Sequence, residues 1–145
     1  MPNTARLIYV STARPGLKFA DIEAILDAAR TRNASEDITG LLLFDGSSFM
    51  QLLEGPEDAI ERVFSSIADD DRHTGIVRIH SETGVEREFS DWAMGYSLLD
   101  DPRAPSGSKW FPLTNSLLVK HLPAGMTPWI RNLCLSFLSV AKAAE

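Results

Sequence analysis

Cysteine is nearly absent: Cys134 stands alone in 145 residues, so the chain can form no internal disulfide and has no thiolate pair to share a metal ion. The 3 histidines are scattered and add no metal-ligand spacing. Long apolar runs are missing too. No stretch approaches the ~18 consecutive apolar residues of a membrane-spanning helix, and the opening Met-Pro-Asn-Thr-Ala-Arg lacks the apolar centre of a secretory signal. The expectation is a cytoplasmic chain with no membrane partner, in which the glycosylation-like Asn33-Ala34-Ser35 is an accident of sequence. Positive charge is also short. With 14 basic against 20 acidic side chains the net charge is −6, the wrong sign for gripping phosphate backbones, so nucleic acid is not an expected partner.

What is present is ordinary globular material, 44% hydrophobic and 23% charged, enough for one core and one domain with a short extension. Residues 5–12 contain the β-rich Leu7-Ile8-Tyr9-Val10 and lead into the loop-forming Ala13-Arg14-Pro15-Gly16. Over residues 18–33, Ile22, Ile25, Leu26 and Ala29 recur with helical spacing. Residues 38–45 and 48–54 read as two strands joined by a tight turn at Gly46-Ser47. Gly55-Pro56-Glu57-Asp58 opens a second helix, with Pro56 at its first position, its acids at the positive end of the dipole, and Ile60, Val63, Phe64 and Ile67 as its apolar face. Strands follow over residues 75–81 and 92–98, with a charged connection at 82–88. The order is βαββαβ with one added strand, the ferredoxin-like α+β pattern in which both helices cover one face of an antiparallel sheet.

Residues 100–108 read as a linker, 113–122 as a short helix and 128–142 as a longer one. The stripe Ile130, Leu133, Cys134, Phe137, Leu138 and Ala141 leaves that last helix almost no polar face. Such a helix has to pack, either on the sheet face the first two helices leave bare or on a partner subunit.

Some polar residues do not suit a plain core. Strand alternation puts Phe49, Gln51 and Leu53 on one face and Met50, Leu52 and Glu54 on the other, and it puts Leu7, Tyr9 and Ser11 together. A phenol and an amide then point toward the core of neighbouring strands, where an unmade hydrogen bond costs roughly 1–3 kcal/mol. Tyr9 and Gln51 can satisfy each other or nearby backbone. Asn33 is a third such group. The end of the first helix suits a capping asparagine, yet that end lies near the start of the second strand. Two amides and a phenol can also surround a planar polar heterocycle, whose edge carries donor and acceptor together as an amide does.

Five segments carry a resemblance: Leu7-Ile8-Tyr9-Val10-Ser11; Arg32-Asn33 followed by Ile38-Thr39-Gly40; Phe49-Met50-Gln51-Leu52-Leu53-Glu54-Gly55; Asp71-Arg72-His73; and Trp92-Ala93-Met94. In this order and at these separations the chain resembles the BLUF (blue light using FAD) domains over residues 5–98. The resemblance implies a noncovalently bound FAD whose ring lies between the two helices, sandwiched by Ile25 and Ile67. It implies that Asn33 donates to the C4 carbonyl and accepts from N3–H, and that Arg72 and His73 serve the ribityl and phosphate end, where FAD brings a diphosphate. Arg32 stands where relatives often carry asparagine or histidine; a guanidinium there can donate to the C2 carbonyl or face solvent.

By the same resemblance Tyr9 and Gln51 are the photoactive pair. Light would drive transfer from Tyr9 through Gln51 toward the flavin N5 and leave Gln51 rotated or tautomerised. Trp92 and Met94, on one face of the last strand by alternation, would relay the signal by competing for a place beside Gln51. Cys134 lies outside any flavin-reactive cysteine motif of the LOV kind and reads as a small core residue.

The expected organisation is a flavin-binding unit at 1–98, a linker at 99–110 and a helical extension at 111–145. This is a short BLUF photoreceptor without enzymatic activity that signals to an unknown protein partner and forms a homodimer. Two other readings stay open. One is a small ferredoxin-like enzyme such as an acyl-phosphate hydrolase, with Ala13-Arg14-Pro15-Gly16 as its phosphate cradle. The other is a flavin-free interaction module, against which the intact Tyr9, Asn33 and Gln51 weigh.

Overall fold

Three strands, β1 (Thr4–Ala13), β2 (Thr39–Phe44) and β3 (Ser48–Pro56), are buried nearly end to end. Burial on both faces explains why their sequences are almost continuously apolar rather than alternating. The computed structural model describes residues 4–16, 18–44, 47–71, 73–89, 92–96, 111–112, 118–120 and 122–143. Its remaining strands are β4 (His73–Val85), β5 (Trp92–Tyr96) and β6 (Phe111–Pro112), and its helices are α1 (Phe19–Ser35), α2 (Glu57–Ala68) and α3 (Pro128–Ala143). The sheet order is β4-β1-β3-β2-β5-β6. The first four of these strands pair antiparallel, as the ferredoxin-like pattern requires, and the added β5 runs parallel to β2.

Each face of the sheet has its own core. On one, Ala5, Leu7, Tyr9 and Leu53 pack with Ala59, Ile60, Val63 and Ile67 of α2. On the other, Ile8, Leu41, Leu43, Met50 and Leu52 pack with Leu118, Leu122, Met126, Ile130 and Cys134. The described part of the terminal helix's apolar stripe, Ile130 and Cys134 with Leu133 and Phe137 beside them, therefore covers the sheet face opposite α2, within the same chain. No helix among the described residues is long and apolar enough to cross a membrane.

Several local readings change. Pro56 ends β3 and caps α2 from outside, with φ −58°, rather than occupying the first helical position; Glu57 and Asp58 take the first turn as expected. β4 is longer at both ends than residues 75–81. It is an edge strand whose register against β1 shifts three times, and one open side lets charged residues extend the pairing into the expected connection. Phe111–Pro112 adds a parallel pair to β5 at the head of the expected helical extension. The turn residue Gly46, the linker at 100–108 and most of the 113–122 helix lie outside the described residues.

Two motif glycines have a steric cause. A Cβ on Gly40 would run into the Leu52 carbonyl oxygen, and one on Gly55 would sit 2.9 Å from the Asp37 carbonyl oxygen. The start of β2 and the end of β3 pass too closely for any side chain.

Ile130 is fully buried against the sheet, so Ile130→Ala is expected to lower stability by about 2–5 kcal/mol. Urea denaturation measures it. A loss near zero would mean that α3 does not dock on this face in solution.

Candidate cofactor site between the helices and the sheet

The β1–β3 register sets Tyr9 directly opposite Gln51, and the β2–β3 register sets Leu42 on Gln51's other side. All three are buried. The Tyr9 hydroxyl donates to Gln51 Oε1. Phe64 of α2 meets the Tyr9 ring edge-on at 5.8 Å, and the Arg78 guanidinium lies 4.5 Å over Phe64 while pairing with Glu61 at 3.0 Å. Tyr9 is thus held on the α2 side by a ring that is itself clamped.

Above this row lies a cleft lined by Ile25, Ala28, Ala29 and Arg32 of α1, Tyr9, Leu42, Phe49 and Gln51 of the sheet, and Ile67 and Asp70 from the end of α2. The cleft has an empty volume of about 450 Å³ and opens toward solvent. Ile25 of α1 and Ile67 of α2 both line it. Of the described α1 side chains, Ala29 and Asn33 are buried.

Asn33 continues the α1 stripe one turn beyond Ala29. It does not serve as a side-chain cap, because the helix runs on to Ser35 and the cap position is Glu36. The backbone carbonyl of Asn33 does that work, accepting from Ile38 N–H at 2.8 Å and Glu36 N–H at 3.2 Å. Its side-chain Nδ2 and Oδ1, like Arg32 Nε, are buried without a hydrogen-bond partner. A donor and an acceptor left unmade side by side fit the pyrimidine edge of a flavin, which offers one of each.

Burial pushes the Tyr9 phenol pKa well above its ordinary value; the Arg32 charge opposes the shift and the Asp70 charge adds to it. Burial lowers the Arg32 pKa, against the pull of Tyr9 and Asp70. The phenol therefore stays protonated and able to donate. Asp70 and Leu42 were not singled out from sequence, although Asp70 adjoins Asp71-Arg72-His73 and alternation in β2 places Leu42 beside Gln51.

The other expected site residues are less fully placed. Arg72 lies outside the described residues, and for His73 only its backbone, at the start of β4, is described. Met94 pairs with Leu42 and so falls in the backbone row Tyr9, Gln51, Leu42, Met94, whereas Trp92 pairs with Gly40, two rows away. Cys134 is in the opposite core, where burial pushes its thiol up to about 12.

A ferredoxin-like sheet carrying a phenol–amide pair beneath a cleft between two helices defines a small heterocycle-binding sensory fold. Residues 4–95 match the family model for sensors of blue-light using FAD, and the chain belongs to that family. It is 40% identical over 88 residues to the blue light- and temperature-regulated antirepressor BluF of Escherichia coli K12, covering 61% of this chain and 22% of that protein. It is 33% identical over 140 residues to a photoactivated adenylate cyclase subunit beta-like protein of Euglena gracilis, covering 88% of this chain and 16% of that one. Among solved structures, the dark state of the BLUF protein BlrB superposes with a TM-score of 0.60 at 38% identity over 66% of this chain and 73% of its own. Klebsiella pneumoniae BlrP1 superposes with a TM-score of 0.73 at 30% identity, over 94% of this chain and 34% of its own. The chain thus spans about a fifth of the curated relatives' length.

The raised Tyr9 pKa carries a sign. The folded state holds this proton more tightly than the unfolded chain, so its contribution is complete below the ordinary phenol value of about 10 and is lost as pH rises through the folded value. Stability measured by urea denaturation from about pH 9 to 11 should fall more steeply for the wild type than for Tyr9→Phe. Equal slopes would mean that the phenol is solvated.

Proposed function

We propose that Tyr9 and Gln51 are the photoactive pair of this blue-light sensor. In this reading Asn33 and Arg32 hold the pyrimidine side of FAD, Ile25 and Ile67 enclose its ring, and Arg72 and His73 serve its phosphate end. The observation that carries the reading is a cleft floored by a hydrogen-bonded phenol and amide, with an orphaned buried amide, Asn33, next in sequence to the lining Arg32.

Bound FAD supplies the blue-light absorption and, once excited, the oxidising power to draw an electron from a neighbouring phenol. The Tyr9 proton already lies on a hydrogen bond to Gln51 Oε1, so its transfer needs no prior rearrangement. Gln51 carries donor and acceptor on one amide. When electron and proton return to Tyr9, the amide can come to rest rotated, with every covalent bond as it was before, or tautomerised, with one amide proton moved from nitrogen to oxygen; in neither case is a bond made to the flavin. Met94, in the same backbone row, is the nearer relay candidate of the pair Trp92 and Met94.

The chain is read as a sensor without a catalytic centre of its own. Residues 1–98 detect light, 99–110 connect, and 111–145 pass the signal to a protein partner or a second copy of the chain in the cytoplasm. Relatives described as an antirepressor and as cyclase subunits support signalling through an effector. The phosphate-cradle alternative is disfavoured because Arg14 is exposed and pairs with Asp71 at 3.4 Å instead of closing a loop.

Purified protein is expected to be yellow, with a flavin band that moves reversibly to longer wavelength under blue light. Gln51→Leu should keep the flavin and lose the shift, and Tyr9→Phe should bind flavin without a photocycle. A colourless protein that resists FAD reconstitution, or a normal shift in either variant, overturns the assignment.

Asn33→Leu separates binding from folding. Removing an unsatisfied buried amide should stabilise the flavin-free protein by about 1–3 kcal/mol while weakening its affinity for FAD. Thermal denaturation and FAD titration read the two effects. Unchanged affinity would remove Asn33 from the site.

A further inference from the structure

The face of the sheet away from the cleft contains a second buried polar cluster. Arg6 sits opposite Glu54 in the β1–β3 register and opposite Glu82 in the β1–β4 register. Arg6 is 4% exposed and Glu54 not at all. The guanidinium donates to Glu54 Oε2 through Nη2 at 2.7 Å and Nε at 3.0 Å, to Glu82 through Nη1 at 3.1 Å, and to Glu88 Oε2 through Nη2 at 2.8 Å. Glu54 also accepts the backbone N–H groups of Glu88 at 2.9 Å and Phe89 at 2.6 Å. Three carboxylates around one guanidinium would be costly at this depth, and these backbone donors offset the excess negative charge. Burial alone would lower the Arg6 pKa, but the hydrogen bond and charge of Glu54, with Glu82 and Glu88, outweigh it and raise it.

Glu88 reaches further. Its Oε1 accepts Thr127 N–H at 2.6 Å and its Oε2 accepts the Thr127 hydroxyl at 2.8 Å. Thr127 immediately precedes α3, and its carbonyl accepts Ile130 N–H at 3.1 Å. One carboxylate therefore ties the start of the terminal helix to the cation that β3 holds through Glu54. A negative charge here also suits the positive end of the helix dipole.

We propose that Glu88 is the latch that docks α3 on the sheet, and that light at Gln51 loosens it through β3. The proposal rests on the sensor reading above. Gln51 and Glu54 are three residues apart on one strand, roughly 10 Å at strand rise. Both Glu88 oxygens are already engaged, so displacement of β3 relative to α3 lengthens these contacts. Loosening the latch exposes the apolar face formed by Ile8, Leu41, Leu43, Met50 and Leu52. Glu88 acts through Thr127 and Arg6 and touches no part of the flavin cleft, which makes it a positioning residue.

The test is amide hydrogen exchange on the full FAD-loaded chain, in darkness and under blue light, with absorption recorded on the same samples. Wild-type α3 is expected to exchange roughly tenfold faster in the light, as fits the loss of a hydrogen bond to a charged group. Glu88→Gln keeps the Arg6–Glu54 pair but cannot accept at both oxygens. Its α3 should exchange about tenfold faster already in darkness, with little further change on illumination and a normal spectral shift. Thr127→Val removes only the hydroxyl contact and should move the same way by less. If α3 exchange in both variants matches the wild type in darkness, or if the light-dependent difference survives intact, Glu88 is not the latch. Absence of any spectral shift in the wild type would instead overturn the sensor reading, and the dark comparison alone would then decide the latch.

Discussion

Gln51 and Glu54 lie three residues apart on a strand, so alternation sends them to opposite faces of the sheet. Because β3 is central and covered on both sides, each is buried, at 2% and 0% exposure. A buried amide and a buried carboxylate each demand partners, and the fold meets the two demands differently. Gln51 takes Tyr9, the residue directly across on β1, and keeps an amide that can turn. Glu54 takes Arg6, also directly across on β1, together with two backbone N–H groups from the segment beyond β4. One strand pair thus carries both an adjustable hydrogen bond and a fully committed ion pair.

The contrast extends to the elements these residues meet. Arg6 and Glu54, at the buried centre of their cluster, are engaged by protein donors and acceptors, the condition under which a buried polar network rigidifies its surroundings, while Glu82 and Glu88 reach partly into solvent. Around the cleft the polar groups are left partly unmade: Asn33 Nδ2 and Oδ1 and Arg32 Nε have no protein partner. Orphaned buried groups of this kind are a cost to folding, and a cost concentrated where two helices diverge marks a surface shaped for a ligand rather than for stability.

Much of this was legible from residue pattern. Period-two alternation separated the two faces of β3 correctly, and helical spacing found the faces of α2 and α3, because each rests on geometry within a single element. Those patterns placed Tyr9 and Gln51 together and predicted that a stripe as apolar as Ile130, Leu133 and Cys134 must pack, on the bare sheet face or on a partner subunit. Pattern was less informative where contacts join distant segments. Glu54 was visible as an acid on the Met50–Leu52 face, but its partners Arg6 and Glu88 lie 48 and 34 residues away, and nothing local pairs them. Asn33 read equally well as a cap, since only tertiary structure reveals that its carbonyl, not its amide, does the capping. The full length of β4 was hidden because register shifts and an exposed edge tolerate residues that look like a loop.

The two-faced sheet also constrains how any event in the cleft can be communicated. The α1–α2 layer and α3 pack against opposite faces, each layer about 10 Å from the sheet, with β1, β3 and β2 between them. A change beginning at Gln51 must travel through strands. Two routes follow from the register. Across the sheet, the backbone row of Gln51 continues through Leu42 to Met94 on β5. Along β3, the next residue whose side chain engages charged groups on the far face is Glu54, and through it Arg6 and Glu88. The first route moves a strand near the edge of the sheet, and the second reaches the start of the helix that covers an apolar face. Packed interiors respond to small displacements by switching between discrete arrangements rather than deforming smoothly. The second route therefore offers the larger output: a shift too small to disturb the sheet can still break contacts held at hydrogen-bond length.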